Sequence, residues 1–521
     1  MKKFFQLIPS TNIRFLLFLV LIIQGCAHLP DNSTMERSAA VLNQGNTSLD
    51  KMVAQQAKDN PRKTGALLLS DGVEAFVARA ALSIAAEKSL DIQYYIFNED
   101  KVGLLLTNQV LKAADRGVRV RLLLDDMDQI GNDSNLLALD SHPNIQIRTF
   151  NPFSRSVSSS VQFITRLGDV TRRMHNKMFI ADNSMAIIGG RNIGDDYFDV
   201  NPNRAFSDLD SLLTGNIVEK ASQVFDLYWN SEVVYPIHLL SKKNKSDNTL
   251  EAIRFSLNKL TKRQSDSPYI NALRTSKLGQ HFTNKELPFI WVNADIIFDD
   301  PIKVRTTRDA HQFHLTKKLE PYFQHIESEL LIITPYFVPG NEGIRFLSAL
   351  RDKGIKITII TNSLSSSDVS AVHSGYSRYR KTLLKQGILL YEMKPKVDVS
   401  INREQDSSNF GSSKTSLHAK SFVLDRTHIF IGSLNLDPRS VYENTEVGTI
   451  LTSTSIAENM VTSISQNIDK MAFKVSLKNN QITWLETKGD AVIVHTTEPH
   501  TNWWHRLLVR MMQILPIESQ L

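Results

Sequence analysis

Residues 417–440 read LHAKSFVLDRTHIFIGSLNLDPRS, and a related stretch, MHNKMFIADNSMAIIGGRN, occurs earlier at residues 174–192. Both contain the pattern H-x-K-x-x-x-x-D, and in both an asparagine follows the histidine by 17 residues. Equal spacing at several matched positions indicates an internal duplication. The matched residues are His175, Lys177, Asp182 and Asn192 in the first copy and His418, Lys420, Asp425 and Asn435 in the second.

Each copy has the pattern of a β-hairpin. Apolar runs MFIA and AIIGG, or SFVL and IFIG, are joined by the turn-rich triplets DNS and DRT. Residues two apart share one face of a strand, so the histidine and lysine of each copy point the same way. Asp182 and Asp425 fall at the turns, away from those faces. We therefore expect them to be structural, either as turn formers or as partners of a nearby cation.

The duplication extends beyond the hairpins. ESELLIITPYFVP echoes EKSLDIQYYIFNE, and DKGIKITIITNS echoes DRGVRVRLLLDD, each about 240 residues later. Strand patterns at 90–97, 118–125 and 145–150 alternate with helical patterns at 72–88 and 102–116, and a further helical pattern follows at 218–229. This alternation predicts an α/β fold. The expected architecture is two similar lobes, each a mostly parallel sheet flanked by helices. A pseudo-twofold axis would bring both His-Lys faces into one cleft between the lobes.

Length and composition agree with a multidomain globular protein. The chain has 521 residues, 42% of them hydrophobic and 22% charged. One helix is expected near residues 34–42 and an irregular path near 241–287. The predicted organisation is a leader at 1–25, a polar tether at 26–64, a first lobe at 65–240, a connecting segment at 241–305, a second lobe at 306–495 and an amphipathic tail at 496–521.

The duplicated residues suit chemistry on a phosphodiester. Its cleavage needs an attacking atom, a proton for the departing alkoxide and positive charge around the phosphoryl oxygens. Two histidines supply the first two, because imidazole titrates near neutral pH. Two lysines supply charge, and two asparagines supply hydrogen bonds to the oxygens. No cysteine cluster or tight His/Glu spacing suggests a metal, so neither a metal nor a cofactor is expected.

These motifs resemble the phospholipase D superfamily and, within it, bacterial cardiolipin synthases of the C type. The resemblance covers roughly residues 61–515 and is carried by SLDIQYYIFNED, RGVRVRLLLDDM, FNPFS, RRMHNKMFIADN, GGRNIGDDYF, FSDLD, TNSLSSSDVSAVHSGYSRYRKTLLKQG, LHAKSFVLD, GSLNLDPRS and NTEVG. It implies that one histidine attacks phosphorus and forms a phosphohistidine, while the other protonates the leaving group. On that likeness His175 is the nucleophile and His418 the general acid, although the sequence also allows the reverse.

The resemblance further implies a carboxylate that orients each imidazole. Aligning SDLDSL with TEVGTI matches Asp208 to Glu446, and Asp210 is the alternative in the first lobe.

A second segment resembles the substrate side of cardiolipin synthases. It is HSGYSRYRK, with His373, Tyr376 and Arg380 as candidate substrate-binding residues. The same residues could instead form the face of an amphipathic helix.

The chain begins with a leader pattern. Cations at positions 2, 3 and 14 precede an apolar run at 15–23, too short to span a bilayer alone. Cys26, the only cysteine, follows in Ile23-Gln24-Gly25-Cys26, which resembles a lipobox. We expect a signal peptide and lipidation at Cys26, on the periplasmic side of a Gram-negative membrane. Ala27 favours the outer membrane over the inner. The alternative is a chance cysteine after an uncleaved anchor.

The chain ends in a helical pattern. Trp503, Leu507 and Met511 recur at i, i+4 and i+8, with arginines opposite. Such a face suits a membrane interface or a helix docked on the protein core.

Four functions follow as alternatives. The first is a phosphatidyltransferase that makes cardiolipin from phosphatidylglycerol and a second phosphatidylglycerol or phosphatidylethanolamine. The second is a phospholipase D, which hands the phosphatidyl group to water. The third, a nuclease, is disfavoured because the net charge is only +6 and the lobes carry no basic run, so no nucleic-acid partner is expected. The fourth, a non-catalytic membrane scaffold, is disfavoured because both motifs are complete. The sequence identifies no accessory protein.

Overall fold

The computed structural model describes residues 29–129, 131–166, 168–199, 205–241, 248–264, 267–395 and 415–514. The predicted leader with Cys26 lies outside these residues, as does the end of the chain from 515.

The strands, in chain order, are β1 Thr64–Leu69, β2 Ser89–Tyr94, β3 Arg119–Asp125, β4 Ile145–Phe150, β5 Met178–Ala181, β6 Met185–Gly189, β7 Ala205–Ser207, β8 Asp210–Gly215, β9 Val234–Pro236, β10 Ile290–Phe298, β11 Glu329–Ile333, β12 Lys356–Asn362, β13 Leu389–Met393, β14 Thr415–Leu417, β15 Lys420–Leu424, β16 His428–Gly432, β17 Val447–Thr452, β18 Ala472–Lys478, β19 Gln481–Lys488 and β20 Ala491–His495.

The α-helices are Ser48–Asp59, Gly72–Ala85, Lys101–Asp115, Asp133–Asp140, Ser159–Thr165, Ile217–Trp229, Ile237–Leu240, Leu250–Arg263, Pro268–Thr275, Lys277–Asn284, Leu315–Gln324, Gly340–Asp352, Ser370–Ser377, Arg380–Lys385, Pro438–Tyr442, Thr454–Met471 and Trp503–Ile514. None of these helices is both long enough and apolar enough to cross a bilayer.

The two halves have the same strand order. The first runs β1-β8-β6-β5-β2-β3-β4-β9, and the second runs β10-β17-β16-β15-β11-β12-β13-β18 and continues into β19 and β20. Strands β1 and β10 pair antiparallel and join the halves into one sheet. The α/β fold class is confirmed, and the pseudo-twofold axis stays a prediction.

The strand directions correct one detail. Only β2-β3-β4 and β11-β12-β13 are parallel, and the other pairs named above are antiparallel, so each half is mixed rather than mostly parallel. The reason lies in the duplicated hairpins. Each joins two strands by a short turn, which forces antiparallel pairing, and each then pairs antiparallel with its neighbours on both sides. Within each half, the connections between the parallel strands are helical.

The local patterns of the first half are confirmed. The predicted hairpin is β5-β6, and the strands expected at 90–97, 118–125 and 145–150 are β2, β3 and β4. The helices expected at 72–88, 102–116 and 218–229 are present with ends shifted by up to three residues.

The connecting segment was predicted wrongly as irregular. Its described part contains three helices, Leu250–Arg263, Pro268–Thr275 and Lys277–Asn284. Each is begun by a side-chain cap, from Thr249, Ser267 or Ser276 respectively. Their few apolar residues, such as Leu257 and Leu278, pack into the core of the first half. These helices were not predicted because most of their residues are polar and exposed, and few apolar residues mark the buried face. In addition, β10 begins at residue 290 and pairs with β17 in the second half as β1 pairs with β8 in the first. The second half therefore starts before residue 306.

The polar tether is also more ordered than predicted. The helix is Ser48–Asp59 rather than 34–42, and its capping box joins Thr47 with Asp50. Residues 36–39 instead run along the first half. There the carbonyls of Glu36, Ser38 and Ala39 accept hydrogen bonds from arginines of β3 and β4.

Apolar side chains from both halves share one core. Ile188 and Leu213 of the first half and Val423, Ile431 and Val447 of the second belong to a single buried cluster. This packing fixes the two halves against each other along the edge where the duplicated motifs lie.

Candidate active site

Each motif histidine is positioned by backbone pairing with the opposite half. The His175 N–H donates to Thr445 O at 2.8 Å, next to a bridge between Met174 and Thr445. In the second half β14 pairs with β7, and the His418 N–H donates to Ser207 O at 2.8 Å. The residue after each acceptor carbonyl is a carboxylic acid, so the pairing delivers one acid to each histidine.

The two histidine–carboxylate contacts therefore cross between the halves. His175 Nδ1 lies 2.9 Å from Glu446 Oε2, and His418 Nδ1 lies 2.5 Å from Asp208 Oδ2. Both carboxyl side chains are fully buried. Internal sequence alignment matched Asp208 with Glu446 but gave no sign that each would serve the histidine of the other half.

The neighbours of His175 fix its neutral tautomer. Nδ1 contacts Glu446 Oε2 and, at 3.1 Å, the carbonyl oxygen of Ser433. A carbonyl oxygen can only accept, so Nδ1 carries the proton. Nε2 of the neutral ring then keeps its lone pair, as a nucleophile requires.

The motif lysines are buried beside the histidines. Lys177 Nζ donates to His175 O at 2.6 Å, and Lys420 Nζ donates to His418 O at 2.5 Å. Lys420 Nζ also lies 3.1 and 3.2 Å from the two ring nitrogens of His418. Burial lowers the pKa of Lys177 and lowers that of Lys420 to about 8. The two ammonium groups thus lie beside both histidines, where they can bind an anionic group.

The motif asparagines are buried in the same region. Asn192 Oδ1 accepts from the Ile96 N–H at 3.4 Å. Asn435 Oδ1 is buried and has no hydrogen-bond partner among the described residues. This oxygen is an acceptor, so a donor such as a hydroxyl of a bound substrate could satisfy it, whereas a phosphoryl oxygen could accept only from the amide nitrogen.

Aromatic side chains that the sequence analysis missed pack on both histidines. The Tyr95 ring lies edge-on to His175 at 5.0 Å, and its face is 5.4 Å from Lys177 Nζ. Tyr197 and Phe206 lie 5.2 Å from His418. These rings orient the imidazoles and keep water from them. Tyr95 stands at the end of β2 within a quoted segment, but no motif singled it out.

The electrostatics differ between the two sites. Burial and then Lys177 lower the pKa of His175 well below its usual value, and burial and Lys420 lower that of His418. Burial raises the pKa of Glu446 to about 7. Burial acts in the same sense on Asp208, but His418 and Lys420 outweigh it and lower the pKa of that carboxyl. Asp208 is thus ionised beside His418, and His175 is neutral.

The two copies of the motif differ at Gly190 and Ser433, and the close approach of Asp208 to Gly190 explains the glycine. A methyl group at Gly190 would lie 2.3 Å from Asp208 Oδ1, so only glycine fits. The matching residue, Ser433, instead bonds through its hydroxyl to the backbone of Val447.

Asp210, the alternative orienting acid, has a structural position. Its Oδ2 accepts from Arg79 at 2.9 Å and from Arg191 at 2.8 Å, and all three side chains are buried. No contact with either motif histidine is seen among the described residues, because this carboxylate is held by the two arginines.

The motif aspartates close turns. Asp182 accepts from the backbone N–H groups of residues 87–89, which begin β2. Asp425 accepts from those of residues 327–329, which begin β11. Both have positive φ, 54° and 50°. Their partners are backbone amides rather than the nearby cation that the sequence also allowed.

Asp182→Asn and Asp425→Asn should each lower the free energy of unfolding by about 1–3 kcal/mol, because charge-assisted bonds to several backbone donors are lost. Activity per folded molecule should stay near that of the wild type. Chemical denaturation measures the first and a lipid assay the second, with exposed Asp490→Asn as control. Full stability with lost activity would contradict this assignment.

The suggested substrate-side residues are engaged within the protein. His373, Tyr376 and Arg380 are all buried. Arg380 pairs with Glu392 and Glu498, Tyr376 Oη donates to Glu392 at 2.9 Å, and His373 Nε2 lies 2.6 Å from Arg380. These contacts favour a structural network over direct substrate contact.

Comparison with known proteins agrees with this geometry. A family model described as "Cardiolipin synthase, PLD-like domain" matches residues 81–229 and 321–484. Cardiolipin synthase C of Escherichia coli is 37% identical over 474 residues, which cover 90% of this chain and 99% of the relative. An uncharacterized protein of Helicobacter pylori is 31% identical over 507 residues, covering 96% and 99%. The crystal structure of phosphatidylserine synthase from Haemophilus influenzae has the same fold, with a TM-score of 0.56 and 13% identity, covering 90% of this chain and all of that one.

Proposed function

The chain belongs to the cardiolipin synthase family with phospholipase D-like domains, and from this we propose that it is a phosphatidyltransferase that makes cardiolipin from phosphatidylglycerol and a second phospholipid. The observation that carries the proposal is the pair of histidine–carboxylate contacts exchanged between the halves around two buried lysines.

In the first step, Nε2 of neutral His175 attacks the phosphorus of the donor lipid. The P–O bond to the head-group alcohol breaks, and the protonated form of His418, which the Asp208 carboxylate stabilises, gives its proton to the departing oxygen. A phosphatidyl group is then bonded to His175. Lys177 and Lys420 balance the charge on the non-bridging oxygens, and Asn192 and Asn435 bond to them.

In the second step, neutral His418 removes a proton from the glycerol hydroxyl of the acceptor phosphatidylglycerol. That oxygen attacks phosphorus, the N–P bond breaks, and cardiolipin leaves with His175 neutral again. Glu446 offsets the charge that His175 carries while phosphorylated. All groups needed are side chains of this chain, so activity should persist when EDTA is present.

Vesicle assays test the reaction. The purified protein is incubated with phosphatidylglycerol alone or mixed with phosphatidylethanolamine, in EDTA, and the products are measured by mass spectrometry. Cardiolipin with released glycerol identifies phosphatidylglycerol as donor, and released ethanolamine identifies phosphatidylethanolamine. Phosphatidic acid without cardiolipin would make the protein a phospholipase D. Turnover only with an added divalent cation would contradict the mechanism.

The last helix supports contact with a bilayer. Its ends and one edge pack on helix Ser370–Ser377, where Ser370 Oγ lies 2.9 Å from His505 and Gln513 bonds Ser377. The opposite side exposes apolar residues to solvent, including Trp503, Trp504, Leu507, Leu508 and Met511. Because the donor and acceptor lipids reside in membranes, we assign this face to the membrane interface.

Trp503→Ala with Trp504→Ala should reduce binding to phosphatidylglycerol vesicles by at least about 10-fold, because two interfacial aromatics are removed. Phe255→Ala, which removes an exposed aromatic 70% accessible on another helix, is the control and should bind as the wild type does. Sedimentation with vesicles measures both, in a Cys26→Ser background. Activity on detergent-dispersed lipid should persist. Unchanged sedimentation of the double variant would refute the assignment.

The location of the protein is part of the proposal. The leader and Cys26 support a lipoprotein anchored on the periplasmic side, with the outer membrane favoured by Ala27. Fatty-acid labelling of the wild type that disappears in Cys26→Ser would support the anchor.

A further inference from the structure

A second group of titratable side chains lies far along the chain from the motifs. Glu486 is in β19, His495 ends β20, and His500 is in the turn before the last helix. One ligand atom from each lies within 4.8 Å of the others. Both histidines direct Nε2 at the same carboxylate oxygen of Glu486, at 2.8 and 3.2 Å.

We propose that Glu486, His495 and His500 bind a divalent transition-metal ion of the zinc type. Two imidazole nitrogens and one carboxylate oxygen are a donor set that Zn²⁺ accepts, with water in the fourth position. In a tetrahedral site with bonds of about 2.0–2.2 Å, neighbouring ligand atoms are about 3.3 Å apart. The nitrogen–oxygen separations already approach that spacing, so binding needs only small side-chain movements.

The surrounding residues hold the ligands in place. Trp484 pairs with His495 across the β19-β20 hairpin, which sets Glu486 diagonally opposite that histidine. The buried ring of Phe473 lies 6.1 Å from the His495 ring and 5.5 Å from the His500 ring. His500 has a φ of 55°, a left-handed conformation that is uncommon for histidine.

The site is accessible to an ion from solvent. The Glu486 side chain is 3% exposed, whereas those of His495 and His500 are 26% and 40% exposed, which gives an ion a route from solvent. Lys488 lies 3.7 Å from the other oxygen, Oε1, so Oε2 alone is the ligand. Without an ion the same contacts are ordinary hydrogen bonds between a carboxylate and imidazoles, which is the alternative to be tested.

The ligands join three parts of the chain, so the proposed role is structural. A bound ion would tie the β19-β20 hairpin to the turn from which helix Trp503–Ile514 begins, and would fix the direction in which that helix leaves the protein. A metal was not predicted from the sequence, because Glu486 is separated from the histidines along the chain and is brought beside them only by the hairpin.

Calorimetric titration of the chelator-treated full-length protein with zinc sulphate tests the site. One ion should bind, and His495→Ala and His500→Ala should each weaken binding at least about 10-fold. His238→Ala, which removes an exposed histidine paired with Asp140, is the control and should bind as the wild type does. Binding that persists unchanged in both site variants, or no stoichiometric binding by the wild type, would overturn the proposal.

Thermal unfolding gives a second measurement that does not depend on the alanine variants folding perfectly. Zinc should raise the Tm of the wild type and of His238→Ala, but not that of His500→Asn, which keeps a polar side chain at an exposed position. Cobalt(II) should give the visible bands of a tetrahedral site in the wild type and lose them in His500→Asn. An equal rise of Tm in all three proteins would place the ion elsewhere and refute the site.

Discussion

Replacing either motif histidine by alanine should reduce phosphatidyl transfer by at least about 10⁴-fold while leaving the fold intact. His175 and His418 come from different halves, and neither half holds both an attacking atom and a proton donor. The strand pairing that holds each histidine uses its backbone rather than its imidazole, so removing the ring should leave the fold intact. Lipid turnover and thermal unfolding measure the two effects. Substantial turnover by either variant would refute a mechanism with two histidines.

The roles of the histidines can be separated with a donor lipid whose leaving group is p-nitrophenol, which departs without a general acid. His418→Asn should release about one equivalent of nitrophenol per site and then stop, because the phosphohistidine forms but lacks the base that activates the acceptor. His175→Asn should give no burst. The phosphatidyl group bonded to His175 in His418→Asn should be stable in base and lost in acid. A burst confined to His175→Asn would reverse the assignment.

The repeated motif predicted the fold well for a physical reason. Hairpin spacing and strand periodicity are local, so β5-β6 and β15-β16 could be identified from the residues themselves. The repeat offset then predicted two similar halves. The mixed strand directions could not be predicted, because pairing of each hairpin with β8 or β17 joins segments that no local pattern relates.

The site was predictable in its residues but not in its connections. Internal alignment selected Asp208 and Glu446, yet the contacts span 210 and 271 residues and depend on short strands between halves, such as β7 and β14. Asp210 was the alternative candidate in the first half by sequence. Its pairing with Arg79 and Arg191 could not be predicted from strand periodicity. Periodicity does not distinguish an aspartate in a buried ion pair from any other polar residue in a strand.

The carboxylates that contact the histidine of the opposite half should also have a large effect on turnover. Asp208→Asn should lower turnover by about 10²–10⁴-fold, because the substitution removes the negative charge that holds His418 as a proton donor. Asp210→Asn is a matched control two residues away. It should instead lower the free energy of unfolding by about 3–5 kcal/mol, because it leaves two buried arginines with a neutral partner. Equal losses of stability in the two variants, with equal activity per folded molecule, would contradict these roles.

Glu446→Gln should increase the free energy of unfolding relative to the wild type as the pH rises, and should lower turnover. Burial raises the pKa of Glu446 to about 7 in the folded protein, above its usual 4.5. Its contribution to stability is therefore fully present below pH 4.5 and is lost as the pH rises through 7. The glutamine variant lacks this loss, so relative to the wild type it should gain up to about 3 kcal/mol between pH 5 and 8. Its turnover should fall, because phosphorylated His175 loses its counter-charge. Denaturant unfolding across this range measures the difference in unfolding free energy between the two proteins, and a difference that stays constant from pH 5 to 8 would show that Glu446 is ionised throughout.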